Sequence, residues 1–481
     1  MAPNASETIA AFAAAFDDSR IDPEHVRICG RALADTFAVA IAGTEEACAV
    51  KIRRYVEGLS PPSTRHRNGI GARGAGALAT GALATVWGTS STATVEGAAL
   101  ANGVAAHALD FDDASSPMSG HPSSALFPAL IALGESRDTS GMRLVAAYLV
   151  GFEISCRLGR GLHPVHYLKG WHMTSSVGTI AAAVACSYLL GLDRSRISHA
   201  IGLAVAQTGG SRENFGTDAK PFQVGQCNAA ALRAALLAEQ GFSAASTALD
   251  GPSGYTKLYS NGEDLADVLD GIGEQPLEIE RSGIEVKKYP ACYALHRPLD
   301  GVFHLMRSLK FDVDEVKEVD VVTSNGALAL LLPAPPRSGM EAKFSMSYAV
   351  AAALFDGRVG LSTFTDESAR RPELRKLMNR ITARESEGKI LPRFATANIR
   401  VKSGEVFSKT IDELHGSPSS PLSDSEFLEK IEDCLSWARS PIRGESVMSA
   451  AANIGKLDVA ALVAALMAPE RSAGGTDGSL V

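Results

Sequence analysis

HALDFDDASSPMSGHPSSALFPALIALGE, residues 107–135, sets two apolar helical segments around a short turn of small residues. The alanine-rich run delivers His107, Asp110, Asp112 and Asp113 into that turn. His121, Pro122 and two serines then open the apolar run beyond it. Three carboxylates and two imidazoles within fifteen residues exceed what a packing surface needs. Acids and bases perturbed by burial are what a catalytic pocket requires, which makes this stretch the chemical centre. The bland alternative is an acidic helix C-terminus with a capping histidine.

Outward from this stretch, residues 5 to about 240 read as helix after helix. Asp22-Pro23-Glu24 is a start signal for a helix through Ala42, stopped by Gly43. A polar, Pro-containing loop falls near 60–67. Small residues at helical spacing in 74–88 and 95–109 predict helices that approach closely. GARGAGAL (71–78) lacks GxGxxG order and reads as packing rather than phosphate binding. Helices at 123–136, 140–161, 173–190, 195–208 and 222–240 are apolar on more than one face, as at the centre of a bundle. Near 275 the texture changes. SGIEVKKY (282–289) and VKEVDVVT (316–323) are β-type around a helix at 293–309, helices return at 343–356 and 371–379, and 395–411 reads as a hairpin turning at Ser403-Gly404. The tail is helical at 425–438 and 457–467 and ends in AGGTDGSLV. The predicted fold is mainly α: a large all-helical domain (1–274 plus 412–481) with an inserted smaller α+β lid domain at 275–411.

Composition bounds the function. Hydrophobic residues make up 46% of the 481 and aromatics only 6%, which suits closely packed helices. Lys+Arg 46 against Asp+Glu 54 gives a net charge of −8 with no basic block, which excludes nucleic acid as the expected partner. Seven cysteines form no CxxC or zinc spacing and read as reduced core thiols. No basic n-region opens the chain and no apolar run reaches membrane-spanning length, so a soluble cytoplasmic protein is expected. No HExxH or EF-hand loop occurs, and DDASS lacks the further acid of a DDxxD box; no metal is expected.

Asp110 and His121 are the leading candidates, a base and an acid acting on carbon next to a carboxylate. Asp112 and Asp113 are weaker candidates: one of them orders the loop or orients a histidine, and a direct role is the alternative for each. His172 in GWHMTSSVGT precedes an apolar helix whose first turn, with Ser175, can hold an anion; a plain capping segment is the alternative. His163 and His166 read as surface loop histidines. Lys220 in TDAKPFQVGQ opens a helix, where positive charge is unfavourable, so carboxylate binding explains it better. Of Lys287 and Lys288, strand alternation sends one to the pocket and one to solvent. Cys292 is a proton-transfer thiol or a small buried filler, and His296 follows it. Tyr348 in SMSYAVAAALFDG is an oxyanion donor or a buried structural tyrosine.

HALDFDD…HPSSALFPALIALGE, GWHMTSSVGTIAAA, AKPFQVG…AAALRAALLAEQGF, KKYPACYALH and SYAVAAALFDG, in this order, resemble the MmgE/PrpD family over roughly residues 20–460. That family contains 2-methylcitrate dehydratase, cis-aconitate decarboxylase and iminodisuccinate epimerase. The resemblance implies a helical domain formed by both chain ends, an inserted lid, a pocket between them, a homodimer and no cofactor. By motif position it implies Asp110, His121, His172, Lys220, Lys287 and Tyr348 as active-site residues. Departures are Ala114, where the animal decarboxylases carry threonine, Cys292, and Gln223 in place of a frequent histidine. The expected activity is dehydration of a hydroxylated di- or tricarboxylate by proton abstraction alpha to a carboxylate. Decarboxylation and epimerisation are the enzymatic alternatives, and a catalytically silent dimeric scaffold is the non-enzymatic one.

Overall fold

All seventeen residues of helix Met173–Leu189 are buried. Its sequence, MTSSVGTIAAAVACSYL, is apolar or small on every face, so neighbours cover it all round. The computed structural model describes residues 4–59, 82–309, 312–388 and 392–469. Around the central helix pack Pro122–Ser136, Gly141–Leu162, Arg194–Val205 and Ala219–Glu239, and Val95–His107 packs on Ala219–Glu239. The last two helices cross at glycines. A Cβ on Gly103 would stand 2.9 Å from Gly225 Cα, and one on Gly225 would stand 2.5 Å from Leu100 O.

Pro128 lies inside helix Pro122–Ser136 and has no N–H for the Ser124 carbonyl one turn back. Asn228 repairs the gap from the next helix. Its Nδ2 donates to Ser124 O at 2.9 Å, and its Oδ1 accepts from Ala129 N at 2.9 Å. This fixes the helix beginning after His121 against the helix carrying Lys220.

Helices Asp424–Trp437, Gly444–Ala452 and Val459–Leu466 return to the same hydrophobic core as Pro23–Gly43, so both chain ends share it. A second core draws on residues from Tyr289 to Ile399. It surrounds a four-stranded sheet of β3 (Val316–Thr323), β4 (Ile381–Glu385), β5 (Ala395–Val401) and β6 (Val406–Ile411), in the order β4-β3-β5-β6. β3 and β4 are parallel; β3–β5 and β5–β6 are antiparallel. β5 alternates buried and half-buried residues along ATANIRV, with helix His296–Leu309 packed on it. The fold is mainly α with small sheets.

Two local expectations need correction. Residues 83–85 are not helical: β1 (Leu83–Thr85) pairs antiparallel with β2 (Thr92–Thr94), around a turn with Gly88 at φ +73°. Four threonines and Val86 in 85–94 favour extended backbone over helix. SGIEVKKY is not a strand either. It makes one antiparallel bridge, Glu285 to Ala114, because its partner is the irregular turn after Asp113 rather than another strand. The Pro-containing loop at 60–67, the GARGAGAL run and the terminal AGGTDGSLV lie outside the described residues. Among the described residues, no helix is long and apolar enough to cross a membrane.

Candidate active site

Three helices begin at one place. His121, His172 and Asp218 occupy the N-cap positions of Pro122–Ser136, Met173–Leu189 and Ala219–Glu239. Their ends touch: His121 N donates to Thr174 Oγ1 at 3.2 Å, and Ser175 Oγ donates to the Gln223 carbonyl at 3.0 Å. Neither histidine caps its own helix through the side chain. The imidazoles therefore face other groups, and the three helix N-termini contribute positive potential.

The turn after His107 supplies the carboxylates. Asp110 adopts φ +55°, a left-handed conformation that aspartate tolerates better than most residues. Its Oδ1 lies 2.9 Å from Lys220 Nζ, 3.0 Å from Lys287 Nζ and 3.7 Å from His121 Nε2. Burial would push this carboxyl up, but the two ammonium groups hold it well below the usual carboxylate range. It is a paired anion and a weak base.

Asp112 is fully buried and accepts from His107 Nδ1 at 2.9 Å, with His121 Nδ1 3.4 Å from the same oxygen. It orients both rings, whose centroids are 4.7 Å apart. His172 donates Nδ1–H to Gln223 Oε1 at 2.7 Å, while Gln223 Nε2 donates to Ser211 O at 3.0 Å. That assignment leaves His172 Nε2 with its lone pair. Burial depresses the His121 and His172 imidazoles, outweighing Asp112 for the first and Gln223 for the second, so both rings are neutral at pH 7. Asp113 goes the other way: burial and the Asp35 charge push it well up. It bonds Ser123 Oγ, which lies 2.7 Å from Tyr148 OH, and so ties the turn to the next helix.

The structure thus brings together Asp110, His121, His172, Lys220 and Lys287, with Ser175 buried in the first turn of the helix after His172. Lys287 is 1% exposed while Lys288 turns out to Glu426 at 3.3 Å, the alternation expected although no strand forms. Cys292 is buried, and burial with the Asp110 charge raises its thiol, so it is protonated. Its backbone N–H donates to Lys343 O at 2.9 Å.

Among the described residues, no hydrogen bond or ion pair ties Cys292, Tyr348 or His296 to this group. Tyr348 lies in the second core and spends its hydroxyl on Thr363 O at 2.6 Å; burial pushes it to about 12. His296 is held by Ala291 O at 3.3 Å between the Tyr289 and Tyr293 rings. Burial, then Lys287, lowers it to about 3. His166 is not a surface histidine: its Nε2 is 2.6 Å from Ser176 Oγ and it packs among Trp171, Tyr255 and Tyr259.

Sequence reasoning missed Lys343, Lys430 and Asp35. Lys343 Nζ donates to Leu109 O at 2.6 Å; Lys430 Nζ donates to Phe111 O at 2.9 Å and pairs with Asp35 at 2.5 Å. Lys430 sits on a charged amphipathic helix, where nothing local separates it from surface lysines. Asp35 alone carried a signal, as an acid within the apolar run ALADTFAVAIAG.

Ligand atoms of His107, Asp110, Asp112 and His121 lie within 4.8 Å of one another, the spacing a cation would need. Here Lys220 and Lys287 already bring two positive charges to Asp110, and His107 Nδ1 is engaged by Asp112.

Residues 7–267 match the family model of the MmgE/PrpD N-terminal domain, and residues 289–452 match that of the MmgE/PrpD C-terminal domain. A human protein named cis-aconitate decarboxylase is 29% identical over 402 residues, covering 80% of this chain and 82% of the relative. The mouse protein of the same name is 30% identical over 355 residues, 69% of this chain and 70% of its own. One from Aspergillus terreus, also so named, is 27% identical over 314 residues, 60% and 64% of the two chains.

Proposed function

The chain belongs to the MmgE/PrpD family, and on that premise we propose that it is a lyase removing CO2 from a tricarboxylate of the cis-aconitate kind, with no cofactor. One observation carries the choice among the family's reactions: the relatives that align with this chain are named cis-aconitate decarboxylases, and before substrate binds the groups that could pull a proton from carbon are weak bases. Asp110 is neutralised by two lysines, and the His121 and His172 imidazoles are depressed by burial. Dehydration and epimerisation both begin by pulling a proton from carbon. Decarboxylation does not; it begins by breaking a carbon–carbon bond and needs only charge stabilisation and, later, a proton.

In an unsaturated tricarboxylate the electron pair released with CO2 shifts through the double bond onto the carbon alpha to a surviving carboxylate. Preorganised donors aimed at that developing charge supply several kcal/mol of stabilisation, typically a factor of about 10²–10³ per donor. Lys220 and the three helix N-termini hold the surviving carboxylates in this reading, and Lys287 faces the developing charge. A bound trianion raises the proton affinity of His121, so the imidazole takes up a proton as substrate binds and returns it to carbon. Near-complete burial excludes the water that would screen these charges. The second core acts as the lid and the active form is a homodimer.

The test is incubation of the purified protein with cis-aconitate and, separately, with hydroxylated tricarboxylates. Released CO2 from the first supports the reading. Water loss from the second with no CO2 from the first assigns the protein to dehydration instead. Deuterium exchange at Cα of an aspartate-like acid without net product assigns it to epimerisation.

A further inference from the structure

Three consecutive carbonyls at the chemical centre each accept from a different lysine. Leu109 O takes Lys343 Nζ at 2.6 Å, Asp110 O takes Lys287 Nζ at 2.7 Å, and Phe111 O takes Lys430 Nζ at 2.9 Å. The three lysines come from separate parts of the chain. Lys287 follows the helical unit, Lys343 lies between Ala342 and Met346 of the second core, and Lys430 is on helix Asp424–Trp437.

Buried carbonyls need donors, and any neutral N–H would serve. Ammonium groups are a costly choice in this interior, because each loses its hydration. Lys343 shows the cost: among the described residues no carboxylate lies within 4 Å of it, and burial lowers it to about 8. Lys430 is compensated by Asp35, itself fully buried, and lies 4.2 Å from the Phe111 ring. What these contacts share is the peptide run around Asp110, whose backbone is left-handed (φ +55°).

We propose that Lys343 and Lys430 are positioning residues for Asp110. By gripping the carbonyls on either side, they hold the turn that aims its carboxylate at Lys220, Lys287 and His121. Because one lysine follows Ala342 of the second core and the other is on helix Asp424–Trp437 of the first, the site is assembled only when both elements are in place. Neither lysine touches the reacting atoms. The kinetic part of this inference rests on the decarboxylase reading; the structural part does not.

The variants are Lys343→Met, and the charge-balanced pair Asp35→Leu with Lys430→Met, which leaves no lone buried ion. Hydrogen–deuterium exchange of the peptide spanning 107–114 reads the turn without any substrate, through the Asp110 and Ala114 amides bonded to His107 O and Glu285 O. Exchange there should quicken by about tenfold or more in Lys343→Met, with the central helix unchanged. Turnover of cis-aconitate should show kcat reduced about 30- to 100-fold with KM within about threefold, as a misaimed catalytic group gives. Unchanged exchange at 107–114 in both folded variants overturns the proposal. So does a raised KM with kcat retained, which would make the lysines substrate contacts. Faster exchange in a protein whose wild type releases no CO2 supports the positioning role while refuting the decarboxylase reading.

Discussion

Replacing Lys287 by methionine removes two contacts at once: the ammonium bond to Asp110 O at 2.7 Å and the ion pair to its carboxylate at 3.0 Å. At that separation and an effective dielectric constant of about 20, the pair attraction is about 5 kcal/mol before desolvation is counted. Lys220 remains at 2.9 Å, so Asp110 is not left alone and the stability loss should fall at or below about 3 kcal/mol, the low end for broken buried pairs. On the decarboxylase reading catalysis should suffer more, because in that reading this cation faces the charge that develops on carbon. A loss of about 10²–10³ in kcat is expected, the effect of one preorganised donor. Stopped CO2 release from cis-aconitate, at saturating substrate, measures it, with circular dichroism as the folding control. A folded Lys287→Met protein turning over within threefold of wild type would refute the assignment of Lys287 to the transition state.

Asn228→Ala leaves Ser124 O and Ala129 N without their partners beside Pro128, and urea unfolding should show a loss of about 2–4 kcal/mol. Tyr348→Phe should leave kcat nearly unchanged and cost about 1 kcal/mol, since its hydroxyl is spent on Thr363 O; a hundredfold kcat loss would restore it to the site. His296 has a folded value lowered to about 3 against 6.5 for a free imidazole. Between those values the unfolded chain binds the proton and the folded one does not, so stability is full above pH 6.5 and falls as pH drops towards 3. His296→Phe should flatten that part of the stability–pH curve, measured by denaturant midpoints at successive pH values; an unaltered slope would mean the ring is not held neutral.

The helices around Met173–Leu189 were legible because their apolar residues recur at helical spacing on several faces. The cluster of acids and imidazoles was legible from their density in 107–121, and Lys220 from its unfavourable place at a helix start. What failed to show was long-range. Lys343 and Lys430 reach Leu109 O and Phe111 O across 234 and 319 residues, and no local pattern encodes such a pairing. The strand at 83–85 was hidden by alanines and glycines that suit helix packing equally well. Nor does any local pattern show that two lysines would hold Asp110 ionised, or that burial would hold the His121 and His172 imidazoles neutral.

Isotope placement in a single turnover asks most directly whether charge builds on carbon next to a surviving carboxylate. Cis-aconitate converted in D2O should lose CO2 and give a CH2=C dicarboxylate carrying one deuteron, at the carbon alpha to a carboxylate, by proton NMR. A folded protein that leaves cis-aconitate unchanged, or a product deuterated at the vinyl carbon instead, would contradict it.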